Sequence, residues 1–140
     1  MNIHAIASAA AIECERQHVG IERLWTLIRG YEYASSLSPA DITMGSIAIL
    51  AGIVEPDNGG VYRKTPVTFA NGGTAANAAD VVRLVSGLIV HGNDLTVDEW
   101  IKEFLWIHPF TDGNGRTAWV LYNFKNGTMN DPVALPDFFG

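Results

Sequence analysis

His108-Pro109-Phe110-Thr111-Asp112-Gly113-Asn114-Gly115-Arg116 lies between two segments of helical pattern, and the rest of the chain reads as a scaffold for it. Upstream, Val97, Trp100, Ile101, Phe104, Leu105 and His108 recur at three- and four-residue spacing, which predicts a helix with one buried face and His108 as the last member of its stripe. Pro109 breaks that helix. Asp112-Gly113-Asn114-Gly115 then reads as a tight turn whose two glycines are free to take positive φ, and Gly115 to Lys125 as the next helix, ended by Asn126-Gly127.

The residue types in this run have a common chemistry. Successive backbone N–H groups of a glycine-rich turn at a helix N-terminus form an anion nest, here from Gly113, Asn114 and Gly115, and Arg116 in the first turn adds a charged fork suited to phosphate. Asp112 on the rim is a hard oxygen ligand of the kind Mg²⁺ uses when it keeps most of its waters and bridges phosphate oxygens. His108 has an unperturbed pKa near neutrality and can take a proton from an attacking hydroxyl. An isolated histidine at a helix end is more often a core residue. The adjoining nest reverses that reading.

The run resembles the signature of the Fic/Doc family, His-Pro-Phe-x-Asp/Glu-Gly-Asn-Gly-Arg-x-x-Arg, and matches it up to the last arginine, where Trp119 stands. Roughly Gly59 to Pro136 can be laid on the family pattern. The resemblance implies an all-α Fic-type bundle with a small β-hairpin flap. It also implies a protein adenylyltransferase that moves AMP from ATP to a Ser, Thr or Tyr hydroxyl of a target protein. His108 would be the base, Asp112 the Mg²⁺ ligand, and Gly113, Asn114, Gly115 and Arg116 the phosphate cradle. It further puts Asn123 near the nucleotide base, and Gly60-Val61-Tyr62-Arg63 with Pro66-Val67 in the flap, so that Val61, Tyr62, Arg63 and Val67 would dock the target.

Trp119 puts part of this in doubt, because in Fic proteins that arginine holds the far end of the triphosphate and is captured by an inhibitory glutamate. The Trp119 ring either stacks on Arg116 or on a base, or is plain helix core. The nearest approach to the inhibitory Ser/Thr-x-x-x-Glu-Gly/Asn pattern is Glu13, with Ala9 and Cys14 at the flanking positions. A separate antitoxin chain supplying such a glutamate is the partner this departure leaves room for. Two further readings stand beside AMP transfer. One is a kinase resembling the Doc toxins, which have a hydrophobic residue at the Trp119 position but Asn-Lys-Arg where this chain has Asn114-Gly115-Arg116. The other is a non-catalytic nucleotide binder.

Composition narrows the partners. The 140 residues suit one domain over 1–140, able to bury about two-thirds of its unfolded surface, and 48% apolar with 17% charged residues is far from disorder. A net charge of −6 with scattered basic residues argues against nucleic acid. The apolar opening has no preceding Lys or Arg, and the run from Ile42 to Val54, about thirteen residues, is too short to span a bilayer, so no membrane partner is expected. The lone Cys14 fits a reducing cytoplasm.

Along the chain, helices are predicted over 2–15 and Val19 to Ala34, with a break near Gly20. Ser38 as N-cap and Pro39 at the first position predict a third helix, buried on most sides, running to Val54. Val61 to Ala70 is predicted as a short hairpin with Pro66 at its turn or edge. The next helix turns Val81, Val82, Leu84, Val85, Leu88 and Ile89 inward and closes near His91-Gly92. Thr96 and Glu99 form a capping box for the helix that delivers His108. The tail, with Pro132, Pro136 and Phe138-Phe139, is expected to pack back irregularly on the body.

Overall fold

A computed structural model describes residues 2–69 and 72–138. Among these, six α-helices build the molecule: α1 Ile3–Arg16, α2 Glu22–Ser35, α3 Met44–Val54, α4 Val81–His91, α5 Val97–Ile107 and α6 Asn114–Asn126. The architecture is all-α, as expected.

The axis is α6, against which α1, α2, α3 and α5 all pack. Asn114 and every residue from Arg116 to Asn123 are buried, so this helix has no solvent face and its polar side chains must find partners inside the protein. Trp119 is 0% exposed. Its indole Nε1 donates to the Val133 carbonyl at 2.9 Å, and its ring centroid lies 5.3 Å from that of Tyr31. Of the two readings open for Trp119, helix core is the one the structure shows.

Asn123 does not face a ligand site. Its Nδ2 donates to the carbonyls of Trp119 (3.0 Å) and Val133 (3.1 Å), while Oδ1 accepts from Thr128 Oγ1 (2.7 Å) and the Val133 N–H (2.8 Å). Two donors and two acceptor sites are an amide's full capacity, so Asn123 has nothing left for a nucleotide base. It fastens the C-terminal tail instead. That tail continues over α1, where the Leu135 N–H donates to Glu13 Oε1 at 3.0 Å and Arg16 Nη2 donates to the Leu135 carbonyl at 3.0 Å. The expected packing of the tail is thus found as far as Phe138; Phe139 lies outside the described residues.

Helix ends follow the cap chemistry, with one correction. The Thr96–Glu99 capping box forms, with Glu99 N–H to Thr96 Oγ1 at 3.1 Å and Thr96 N–H to Glu99 Oε1 at 2.9 Å. Gly127, at φ 73°, ends α6. Ser38 does not open α3: it pairs with Asp41 around a single 3₁₀ turn, Pro39–Asp41, and the chain then extends through Ile42. The helix starts at Thr43, whose Oγ1 accepts the Ser46 N–H at 3.1 Å. Burial of α3 is also one-sided, through Ile47, Leu50, Ala51 and Val54, and Ile49 is exposed. Val82, expected inside, points out as well.

The predicted hairpin over 61–70 is not found as a two-armed unit. Tyr62 forms an antiparallel bridge with Phe110, and Thr68 forms one with Thr74. Pro66 separates the two and has no N–H to give a ladder, so each half pairs with a different part of the chain. Ala70 and Asn71 lie outside the described residues. Among the described residues no helix is long and apolar enough to cross a membrane.

Candidate functional site

The end of α5 delivers His108. Trp100, Ile101, Phe104 and Ile107 anchor the buried face of that helix, and His108 follows as its C-cap with φ 50° and ψ 63°. This left-handed turn, uncommon for a residue with a side chain, redirects the chain away from the helix axis. Positive φ was expected at Gly113 and Gly115; it occurs at His108 and Gly113, and Gly115 is helical.

Beyond it, Phe110 is fully buried and stacks on Tyr62, with centroids 5.0 Å apart. Asn114 staples the motif loop across its base: Oδ1 accepts the Phe110 N–H at 2.9 Å and Nδ2 donates to the Phe110 carbonyl at 2.7 Å. Its side chain is therefore structural, and only its backbone can serve an anion. The glycine at 113 is required by geometry, because its φ is 81° and a Cβ there would stand 2.8 Å from Glu55 Cβ.

Thr117 N–H makes the first intrahelical bond of α6, to Gly113 at 2.9 Å, which leaves the N–H groups of Asn114, Gly115 and Arg116 without intrahelical acceptors. The Gly113 N–H is already taken by Asp112 Oδ1 at 2.7 Å. Three backbone donors at a helix N-terminus therefore remain for an anion. The Asp112 side chain is about half exposed beside them and keeps Oδ2 free of protein partners. Among the described residues no cluster of three or more His, Cys, Asp or Glu gathers at metal-binding distance. The donor set therefore fits a hydrated Mg²⁺ held by one carboxylate and by phosphate oxygens, and fits no metal that needs an all-protein cage.

His108, Asp112, Gly113, Asn114, Gly115 and Arg116 line one cavity of about 120 Å³, smaller than the roughly 300 Å³ at which ligand pockets begin. Gln17 and Val19, from the turn between α1 and α2, close it. Gln17 lies so near Gly115 that a Cβ there would be 2.5 Å from Gln17 Oε1. On the other side of Gln17 a groove of about 340 Å³ runs past Glu13, Arg16, Gly115 and Phe138.

The His108 imidazole is half-buried, with the Phe69 ring edge-on at 5.3 Å. Burial pushes its pKa below the ordinary histidine value, and the nearby Arg63 guanidinium pushes the same way. A hydrogen bond to the Leu105 backbone and the Asp112 carboxylate pull against them. The imidazole is thereby biased toward its neutral, proton-accepting form at physiological pH.

Arg116 differs most from expectation. It is 1% exposed, and its guanidinium is held by Glu55 Oε1 at 3.0 Å, with Asp112 Oδ1 at 3.5 Å and the Val54 carbonyl at 3.4 Å. Glu55, the C-cap of α3, is itself buried and also receives Arg23 Nη2 at 3.0 Å. The expected phosphate fork is thus engaged by a carboxylate that no local pattern singles out. A phosphate at the nest would compete with Glu55 for it. Glu55→Gln is expected to lower stability by about 3 kcal/mol, the lower end for breaking a buried ion pair from one side. The same change should tighten ATP binding about tenfold, the worth of one released charge-assisted contact. Denaturant titration and calorimetry of ATP binding on one preparation check both; a less stable variant with unchanged affinity would show that Arg116 does not reach the phosphate.

The expected docking residues also separate. Val61 is 72% exposed and, with Tyr62, Lys64, Thr65 and Thr111, lines an open groove of about 380 Å³. Tyr62 is half-buried, its hydroxyl donating to the Met44 carbonyl at 2.8 Å, and Val67 is partly exposed, its carbonyl accepting the Ala75 N–H at 3.3 Å. Arg63 is 3% exposed and turned inward onto backbone carbonyls, so its side chain is not offered to a target.

Residues 99–124 match the family model described as "Fic/DOC family". The fold is similar to that of a solved Fic family protein from Desulfovibrio desulfuricans G20, with a TM-score of 0.67 and 20% identity over 85% of this chain and 42% of that one. The chain therefore spans less than half the length of that protein. No curated protein sequence matches it at a significant level. The segment that matches the Fic/DOC family model thus holds most of α5, the nest and most of α6, and the fold built around it is similar to that of a Fic family protein.

Proposed function

We propose that this chain is a Fic domain and acts as a protein adenylyltransferase. The observation that carries the reading is the meeting, around one cavity, of a neutral-biased imidazole at His108, three free N–H groups at the head of α6 and the Asp112 carboxylate. In the proposed reaction a target Ser, Thr or Tyr hydroxyl attacks the α-phosphorus of ATP, the bond from that phosphorus to the bridging oxygen breaks, and pyrophosphate leaves. His108 takes the hydroxyl proton. The Asn114, Gly115 and Arg116 N–H groups face the charge that develops on the phosphate oxygens. Asp112 would hold Mg²⁺, which supplies Lewis-acid neutralisation of that charge. The groove beside Val61 and Tyr62 is the side from which a target would approach. A chain of this length could also work within a larger protein or beside an inhibitory antitoxin chain.

Mass spectrometry of a lysate incubated with the protein, ATP and Mg²⁺ tests this, with AMP adducts expected on proteins. Phosphate adducts would instead support the Doc-like kinase reading, which the buried apolar Trp119 at the family's last arginine position favours. Neither adduct would leave a non-catalytic binder. Asp112→Asn is expected to weaken ATP binding about tenfold with Mg²⁺ present and by less than twofold in EDTA, as one metal-held carboxylate contact implies. Equal losses in both buffers would remove Asp112 from the metal.

A further inference from the structure

We infer that Arg63 is the positioning residue of His108, its guanidinium holding the end of α5 in the conformation that presents the imidazole to the nest. Three successive carbonyls at that end, those of Ile107, His108 and Pro109, all lead to this one residue. Arg63 Nη2 donates to Ile107 at 2.9 Å, Nε donates to His108, and the Arg63 backbone N–H donates to Pro109 at 2.9 Å. Two further donors reach Ala76 at 2.7 Å through Nη2 and Thr65 at 2.8 Å through Nη1. Among the described residues no carboxylate pairs with it.

A buried guanidinium with only carbonyl partners is costly to desolvate, so its placement calls for a return that an apolar side chain could not give. Two such returns are visible. The last carbonyls of a helix have no intrahelical donor, and here the helix ends in a left-handed histidine that is strained by itself; a planar fork satisfies several of those carbonyls at once and holds the turn. The segment that carries Arg63 also carries Phe69, whose ring edge packs on the imidazole. Fixing the backbone of His108 to this segment fixes the ring against Phe69. Arg63 and Asp112 are the charged groups that face the imidazole, and they act on it in opposite directions.

That His108 acts as a base rests on the function proposed above; that Arg63 places it can be tested without catalysis. The test is NMR of the nucleotide-free protein, following the His108 ring by pH titration and by its nuclear Overhauser contacts to the Phe69 ring, in wild type, Arg63→Gln and Arg63→Lys. In Arg63→Gln the His108 midpoint should rise as a facing charge is lost, and the ring contacts to Phe69 should weaken or vanish. Arg63→Lys keeps the charge and loses the fork, so the midpoint should stay near wild type while the contacts weaken. A folded Arg63→Gln protein with both readouts unchanged overturns the inference. Should Arg63→Gln not fold, Arg63→Lys decides, and ring contacts kept in full overturn it. If wild type transfers nothing yet both readouts move, the proposed function fails and the positioning role stands.

Discussion

Trp119→Arg is expected to leave the chain unfolded in buffer at 25 °C. The family pattern has an arginine at this position, so the substitution looks like a restoration. In this fold it is the reverse. The indole is fully buried against Tyr31 and bonded to the Val133 carbonyl, at the centre of a helix that has no exposed side. Removing such a side chain costs about 3–5 kcal/mol, and desolvating a guanidinium in its place adds several more. Domains of this size have about 5–15 kcal/mol to lose. Trp119→Phe is the control: it keeps the packing, gives up one hydrogen bond and should cost about 1–2 kcal/mol. Circular dichroism with denaturant titration reads both. A well-folded Trp119→Arg protein would mean that α6 can turn this face toward the nest, and the assignment of Trp119 to the core would be wrong.

The same residue shows what local pattern can and cannot carry. Helix α5 was legible because its buried stripe, its Thr96–Glu99 box and the proline after it agree, and the nest was legible because glycine and helix start stand next to each other in sequence. What failed involved distant partners. The Arg116–Glu55 pair joins residues 61 positions apart, and nothing near Glu55 marks it except that it caps α3. Arg63 and Asn123 sit at positions that the family pattern associates with the flap and the nucleotide, yet each is engaged inside the protein, mostly by backbone groups. A side chain's type limits its chemistry, but its partners are set by packing. The α3 start was missed for a different reason: Ser38-Pro39 and Thr43 both carry cap chemistry, and only the extended Ile42 between them shows that one closes a turn and the other opens the helix.

His108→Asn should reduce AMP transfer by at least about 10²-fold while ATP binding stays within twofold of wild type. Asparagine is the informative replacement because it tolerates the left-handed conformation that His108 adopts, whereas alanine would add backbone strain to the loss of the base. The phosphate donors should survive, since they are backbone N–H groups fixed by α6 and by the Asn114 staple. In the wild type the rate should be level around neutrality and fall only as pH drops through a midpoint below the ordinary histidine value, because burial and Arg63 disfavour the imidazolium. Stability is linked in the same sense. A folded pKa below the unfolded one means that the unfolded chain binds the extra proton, so this contribution is present above the unfolded value near 6.5 and is lost as pH falls through the lowered folded value. His108→Asn should abolish the acid limb of whatever activity remains and make stability flatter over that interval. A rate profile that keeps its acid limb in His108→Asn would assign the limb to another group, and an equal loss of ATP affinity would make His108 a structural residue of the nest.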